Sequence, residues 1–480
     1  MEYVGKEKIA EIAAYAAKRR DEIRNTKSEY PTSGKIYYVD DINGCDQNDG
    51  LTPETAFQSL EKMEYLHTEA GDTVLFRRGG LWRGCLRPTK GVTYSAYGEG
   101  DKPIIHGSER NYADPALWLE TDVPNVYKYD GTLNNVGIII FNDTRKPGNY
   151  NELLGDLKVI GREGFESYRN LYDDMQFVSD LKTNELYIYS SEGNPGERFE
   201  SIEIGINGRV LGVRYPAYLT GLNDVVIDNL RVRLGGGHGI GLGRCNNVTV
   251  RNCIVDYVGG SVIRTVGFEH ALNRYGNAIE LYGACDGFYL YNNWCYQAYD
   301  TGITNQWNSG ADKLDCLMDN VHFVGNVLDY CHWSIEYYNG DASDGTSHRV
   351  HNEYILDNIC RMNGFGWGTI YDHRKEHDSA IECWVLTENT DNFIISNNVI
   401  DRVRGRMLDL VGVGHEKVEL KENIYIFTDN VPFGRFIESK KYYFMSEGAD
   451  YLVRDVVGDK TSHILFNYNK QLPNYTPDKK

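Results

Sequence analysis

A two-residue pattern ending in asparagine returns seven times between residues 228 and 423, each time beside a short β-branched or aromatic stretch. The pairs are Asp228-Asn229, Arg251-Asn252, Asn292-Asn293, Gly325-Asn326, Asp357-Asn358, Asn397-Asn398 and Glu422-Asn423. In full the units read VVIDNLRV, VTVRNCIV, FYLYNNWCY, VHFVGNVLDY, EYILDNICRM, FIISNNVIDRV and VELKENIYIF. The shortest step, Asn229 to Asn252, is about one coil of a solenoid, and longer steps carry extra loop residues. A unit this short cannot bury an apolar face alone, so the units must stack.

Each unit reads as two short strands broken at one fixed corner. A third strand follows in GHGIGLG, GNAIELYG, DTGITNQW, WSIEYYNG, WGTIYDHR and RMLDLVG. The period is two within each strand, and nothing in 220–425 keeps a helical period for two turns. Asparagine suits the corner because it tolerates left-handed backbone. Its amide can also bond to the asparagine one coil above or below, as in stacked polar ladders. The repeat resembles the right-handed parallel β-helix of pectate lyases, polygalacturonases and their relatives. Upstream, KIYYVDDINGCDQNDGLTPETAFQSLEKM and GDTVLFRRGGLWRGCLRPTKGVTYSAYGEGDKPIIHGS resemble the opening module of many β-helix carbohydrate-active proteins. That module holds a first strand, a polar loop, a capping helix and the first coils. The resemblance covers residues 35–110 and 200–425. It implies an all-β fold, a right-handed single-stranded parallel β-helix, and it speaks for the fold more than for the reaction.

Residues 1–30 predict an amphipathic helix, with Ile9, Ile12, Ala13, Ala16 and Ile23 on one side, that caps an open end. The solenoid is expected over 35–440, with a β-rich insertion at 111–200 that shapes one end of the cleft. Residues 441–480 read as a terminal cap and tail. Asp46-Gln47-Asn48-Asp49-Gly50 resembles a calcium loop but lacks the later bidentate Glu, so a polar turn before the helix begun near Pro53 is expected.

With 69 acidic and 50 basic side chains the net charge is −19, which disfavours nucleic acid and anionic membranes as partners. It also weighs against a strongly anionic polymer as substrate, unless a local basic cleft overrides it. No signal peptide and no run of membrane-span length is visible. The ten Cys show no paired metal spacing, and Cys253, Cys295 and Cys360 occupy strand or corner positions, as free buried thiols would. These readings predict a cytoplasmic location, or an extracellular one if a leader is missing. They favour a substrate of short oligosaccharides over intact polysaccharide, and leave a homo-oligomer open.

Aligning the third strands on Ile279, Ile303, Ile335, Ile370 and Leu408 gives a neighbouring column of Glu280, Thr304, Glu336, Tyr371 or Asp372, and Asp409. Neighbours of a buried strand residue point outward, so these side chains share one exposed face. Trp307, Trp333 and Trp367 edge these strands, with Tyr337, Tyr338, His332, His373 and Arg374 close by and Gln306 in the same strand as Trp307. Acids among aromatics suit sugars, whose CH faces stack on rings while carboxylates move protons. Carboxylates on adjacent coils would lie about 5 Å apart, the retaining separation, and two coils apart about 9.5 Å, the inverting one. Glu336 as acid with Asp372 as nucleophile or base is the expected pair. Glu280 lies two coils from Glu336, and Asp300 is placed to orient a substrate hydroxyl or to serve as a hydrogen-bonded corner. His238, among glycines, reads as packing. The pocket is expected to be built by loops 262–277, 305–318 and 339–350.

The leading expectation is therefore a two-carboxylate glycoside hydrolase needing no cofactor and no metal. The β-helix glycosidases that the repeat resembles place paired acids on this sheet. The chain departs from polygalacturonases: GHG occurs at 237–239 but no RIK follows, which puts pectinolytic activity in doubt. The alternative is a polysaccharide lyase or uronate epimerase, for which Arg264, Arg274, Arg374 and Lys375 are the available cations. Calcium-binding acids for such a lyase would come from Asp341 and Asp344 or Asp372 and Asp378. A third class is a non-catalytic carbohydrate-binding or tailspike-like protein.

Overall fold

The computed structural model describes residues 2–3, 6–30, 33–143, 167–213, 221–263, 274–307, 316–339, 348–370, 378–428, 432–436 and 448–467. Its body is a parallel β-helix. Successive coils add one strand each to three long sheets of eleven, ten and eight strands. Pairing across these sheets is parallel and in register, so like positions of successive coils stack. One interior file reads Val225, Val248, Phe288, Val321, Glu353, Phe393 and Val418, and the next reads Ile227, Val250, Leu290, Phe323, Ile355, Ile395 and Leu420. All are buried. Burial of such files is the main favourable term, at roughly 25 cal/mol per Å² of apolar surface.

The repeated pair divides its work between two positions. The first position of the corner is left-handed, with φ of 53° at Asn292, 69° at Gly325, 57° at Asp357 and 57° at Asn397. The second holds the ladder: Asn293, Asn326, Asn358, Asn398 and Asn423 are fully buried. Each of the first four donates both its backbone N–H and its amide Nδ2 to the Oδ1 of the next, at 2.9–3.0 Å. The second amide hydrogen goes to a backbone carbonyl of the preceding coil, such as Phe323 O for Asn358 at 2.8 Å. In the first two units the pattern is shifted by one. Asn229 and Asn252 take the left-handed position, with φ of 56° and 53°. Leu230 and Cys253 fill the interior one, and Cys253 N–H donates to Asn293 Oδ1 at 3.0 Å. The seven asparagines are thus one motif in sequence and two roles in space.

The N-terminal helix, Lys6–Asn25, is present, but its body lies on a flank rather than over an open end. Ile12, Ala16 and Ile23 pack on Ile254, Trp294, Val327, Ile359 and Val399 on the outer face of the eleven-stranded sheet. Twenty residues at 1.5 Å each span about 30 Å, or about six strand spacings. Arg20 reaches buried Asp329 at 3.1 Å, while Glu2–Tyr3 pair with Leu465–Phe466 at the sheet's last strand. Among the described residues of this segment, those two lie at the end of the sheet. No described helix is long and apolar enough to cross a membrane.

The insertion contains a four-stranded sheet of Trp118–Glu120, Val126–Tyr129, Phe177–Ser179 and Leu186–Tyr189, antiparallel throughout. A second pair, Val136–Phe141 with Ile202–Ile206, docks on the solenoid. Docking is close because Gly137 has no side chain: a Cβ there would fall 2.5 Å from Ser261 N. Asn135 fixes the contact by donating to Val262 O at 2.8 Å and accepting from Val262 N at 2.9 Å. Asp46 and Asp49 accept hydrogen bonds from Gln58, Ser59, Leu51 and Thr55, forming a polar turn. Pairing continues past residue 426, since Gly434–Phe436 and His463–Asn467 each join a long sheet.

Two outcomes follow from this packing. Asn358→Ala removes the acceptor of two Asn326 donors and takes one donor each from Asn398 Oδ1 and Phe323 O, costing roughly 2–4 kcal/mol in chemical unfolding. Glu353 sits inside the apolar file with Asn305 Nδ2 donating to it at 3.3 Å, and burial pushes its carboxyl up to about 8. Its folded value exceeds its unfolded one, so stability present below about pH 4.5 is lost as pH rises towards 8. Glu353→Gln should therefore gain on wild type between pH 5 and pH 9 by a few kcal/mol, read as diverging melting temperatures.

Candidate active site

The eight-stranded sheet contains Ile279–Tyr282, Thr301–Trp307, Trp333–Asn339, Ser379–Leu386 and Arg406–Leu410. Ile279, Ile303, Ile335, Ile381 and Leu408 align and point into the core. The neighbouring outward file is Gly241, Glu280, Thr304, Glu336, Glu382, Asp409 and Arg435. The strand beside Glu336 is thus Ser379–Leu386, and Trp367–Ile370 forms a short helix instead. Glu382, not Asp372, is the register neighbour of Glu336. Tyr371, Asp372, His373, Arg374 and Lys375 lie outside the described residues, as do Arg264, Asp341, Asp344 and most of the three loops expected to build the pocket.

Four acids in five registers cannot all be ionised side by side in a shielded file. The ends are neutralised. Asp409 is fully buried, bonded to Arg406 and held by Arg435 Nη2 at 2.7 Å, so it is an ion-pair anchor rather than a group offered to substrate. Glu280 lies 2.6 Å from His238 Nδ1 and accepts from Asn277 Nδ2 at 2.9 Å. Burial opposes its charge, but His238, the charge of Arg209 and the Asn277 amide together hold the carboxyl below its ordinary value. His238 therefore contacts the acid and does more than pack between glycines.

In the middle, burial favours the protonated forms. Burial, then the charges of Asp300 and Glu280, push Glu336 up to about 8. Burial, then Asp409, pushes Glu382 well up as well, and Ser379 Oγ donates to it at 2.6 Å. Glu336 accepts from Thr301 Oγ1 and Gln306 Nε2 on one oxygen and from the Trp384 indole N–H on the other, each at 2.8 Å. A chain of bonds joins the two key acids. Asn277 donates to Glu280 and accepts from Thr301 N at 3.1 Å, and the Thr301 hydroxyl donates to Glu336.

Trp384 follows Glu382 on the outward face, and a bulge lies beside it. The register jumps from Tyr337–Cys383 to Asn339–Leu386, so Trp384 and Val385 both oppose Tyr338. The Trp384 ring is 44 % exposed, although its N–H is bonded to Glu336. Behind it stands buried Trp333, edge-on at 5.6 Å, which in turn packs on His332 at 4.3 Å. His332 Nδ1 lies 3.0 Å from Asp378 Oδ1. Asp300 sits at the corner before these strands, and its backbone carbonyl accepts from His332 N and Trp333 N.

Among the residues singled out in the sequence, the structure brings together Glu336, Glu280, Asp300, Gln306, Tyr338 and Trp333. It does not bring Trp307 or Trp367 to the groove. Trp307 alternates with outward Gln306 and lies in the core. Trp367 is buried on the flank, with its N–H on Gln297 O at 2.8 Å. Glu382, Trp384 and His238 were missed. A signal existed for the first: Ala278-Ile279-Glu280, Ser334-Ile335-Glu336 and Ala380-Ile381-Glu382 repeat a small-Ile-Glu tripeptide. Among the described residues no group of three or more His, Cys, Asp or Glu is placed to hold a metal.

No family model and no curated protein matches the chain. Solved structures with a slight likeness include XylC in complex with xylose, at 12% identity, TM-score 0.38, and coverage of 92% of this chain and 87% of that one. A GH136 lacto-N-biosidase from Eubacterium ramulus shares 14% identity at TM-score 0.34, covering 91% and 67%. A structure described as a glycoside hydrolase shares 9% identity at TM-score 0.36, covering 91% and 96%. At such values the reaction has to be read from the site itself.

The indole bond can be tested without substrate. It favours the ionised form of Glu336, so Trp384→Phe should move the carboxyl titration from about 8 to higher pH in carbon-detected NMR. A fall, or no movement, contradicts the geometry.

Proposed function

We propose that the protein is a glycoside hydrolase acting on oligosaccharides, with Glu336 as general acid and Glu280 as general base. One observation carries this: two carboxyls on one face have environments that push them apart, one held protonated at neutral pH and one held ionised. They stand two strands apart, about 9.6 Å at the usual spacing, which leaves room for a water. Glu336 gives its proton to the glycosidic oxygen as the bond to the anomeric carbon breaks. Glu280 takes a proton from the water that attacks the opposite face. The product anomer is inverted. Trp384 offers a stacking face beside the acid, and Gln306 and Tyr338 edge it with polar groups. Asp300 adds negative charge that keeps Glu336 protonated and favours a developing oxocarbenium ion.

On a substrate found by screening oligosaccharides and aryl glycosides, Glu336→Gln and Glu280→Gln should each lower kcat/KM about 10²–10⁴-fold with a much smaller change in KM. Proton NMR of the first product should show the inverted anomer. Activity should hold through neutral pH and fall as pH rises through about 8, where the acid loses its proton. Full turnover in Glu336→Gln, retention of configuration, or an ultraviolet-absorbing unsaturated product would each remove this reading.

A further inference from the structure

A cavity of about 330 Å³ lies at the first strands of the eight-stranded sheet, lined by Arg87, Glu109, Asn207, Arg209 and several backbone glycines. That volume is in the range of small-ligand sites. Arg209 joins the cavity to the carboxylate file. A Cβ on Gly241 would meet Arg209 Cδ at 2.4 Å, so the arginine stem lies on the outer side of Gly241, the strand neighbour of Glu280. Arg209 Nε is buried and makes no hydrogen bond. The cations at the opposite end are already used, since Arg406 and Arg435 both hold Asp409. Arg87, on the cavity wall, is bonded to Glu64 at 2.6 Å, and exposed Glu109 faces water. The glycines let a ligand approach the backbone closely.

We propose, on the strength of the hydrolase reading, that this cavity receives the anionic group of a sugar, a uronate carboxylate or a sulfate ester, on Arg209, making the substrate an acidic oligosaccharide. A guanidinium suits the planar fork of a carboxylate and also accepts a sulfate. The chain's net charge of −19 works against a long polyanion, whereas one local cation beside the groove selects a short ligand with one or few charges.

Monosaccharides test this without any bond being cleaved. Glucuronate and galacturonate should bind the intact protein at least tenfold more tightly than glucose and galactose in low-salt calorimetry. Arg209→Gln should abolish the preference, and Arg209→Lys should keep part of it. Cys85, on the same cavity wall and half-buried, gives a readout in wild type: glucuronate should slow its labelling by a maleimide, and glucose should not. Glucose 6-sulfate binding more tightly than either uronate assigns the anion to a sulfate ester and supports the site. Equal affinity for acidic and neutral sugars, a preference that survives in folded Arg209→Gln, an unprotected Cys85, or no binding at all overturns it. Because no turnover enters, an inactive protein that still prefers acid sugars would sink the hydrolase reading and leave this site standing.

Discussion

Parallel strands stacked in register, about 4.8 Å apart, bring the same position of every coil next to itself. For apolar and amide side chains that proximity is favourable. Isoleucines fill the interior row, and each asparagine of the ladder satisfies the next. For carboxylates it is not, because like charges at one strand spacing in a shielded file repel strongly. The same geometry that stabilises the core therefore forces the acid file to resolve its charge.

The resolution is uneven along the rod. His238 sits against Glu280 at one end, and Arg406 with Arg435 neutralises Asp409 at the other. Among the described residues no bond gives Glu336 or Glu382 a counter-cation, and burial favours their protonated forms. A protonated acid and an ionised one on a common face follow from where the cations fall. The second coil step between them comes from Thr304, which occupies the intervening register without charge.

Elements outside the repeat set the surroundings of that file. The insertion, clamped through Asn135 and Gly137, reaches the site through Asn207, which bonds Tyr275 beside His238. The N-terminal helix works elsewhere, covering the apolar face of the eleven-stranded sheet and giving Asp329 an arginine. The bulge beside Trp384 turns what would be one outward residue into two, and one of them is the exposed ring at the acid.

The seven-fold pattern alone determined the coil repeat, the period-two strands and the outward placing of Glu280 and Glu336, because period two and in-register stacking are local properties of short strands. It also marked the corner, though not that left-handed backbone and ladder amide fall on adjacent residues. WGTIYDHR reads as a strand that would set Asp372 beside Glu336, but Trp367–Ile370 is a helical step and the strand neighbour of Glu336 is Glu382, while Asp372 itself lies outside the described residues. Trp307 and Trp384 look alike in sequence as aromatic residues in strands. The strand alignment separates them: Trp307 stands four residues after inward Ile303 and faces the core, whereas Trp384 stands three after inward Ile381 and faces outward. Which acids keep their protons was decided by tertiary structure, because His238, Arg209, Arg406 and Arg435 reach the file from separate strands and loops.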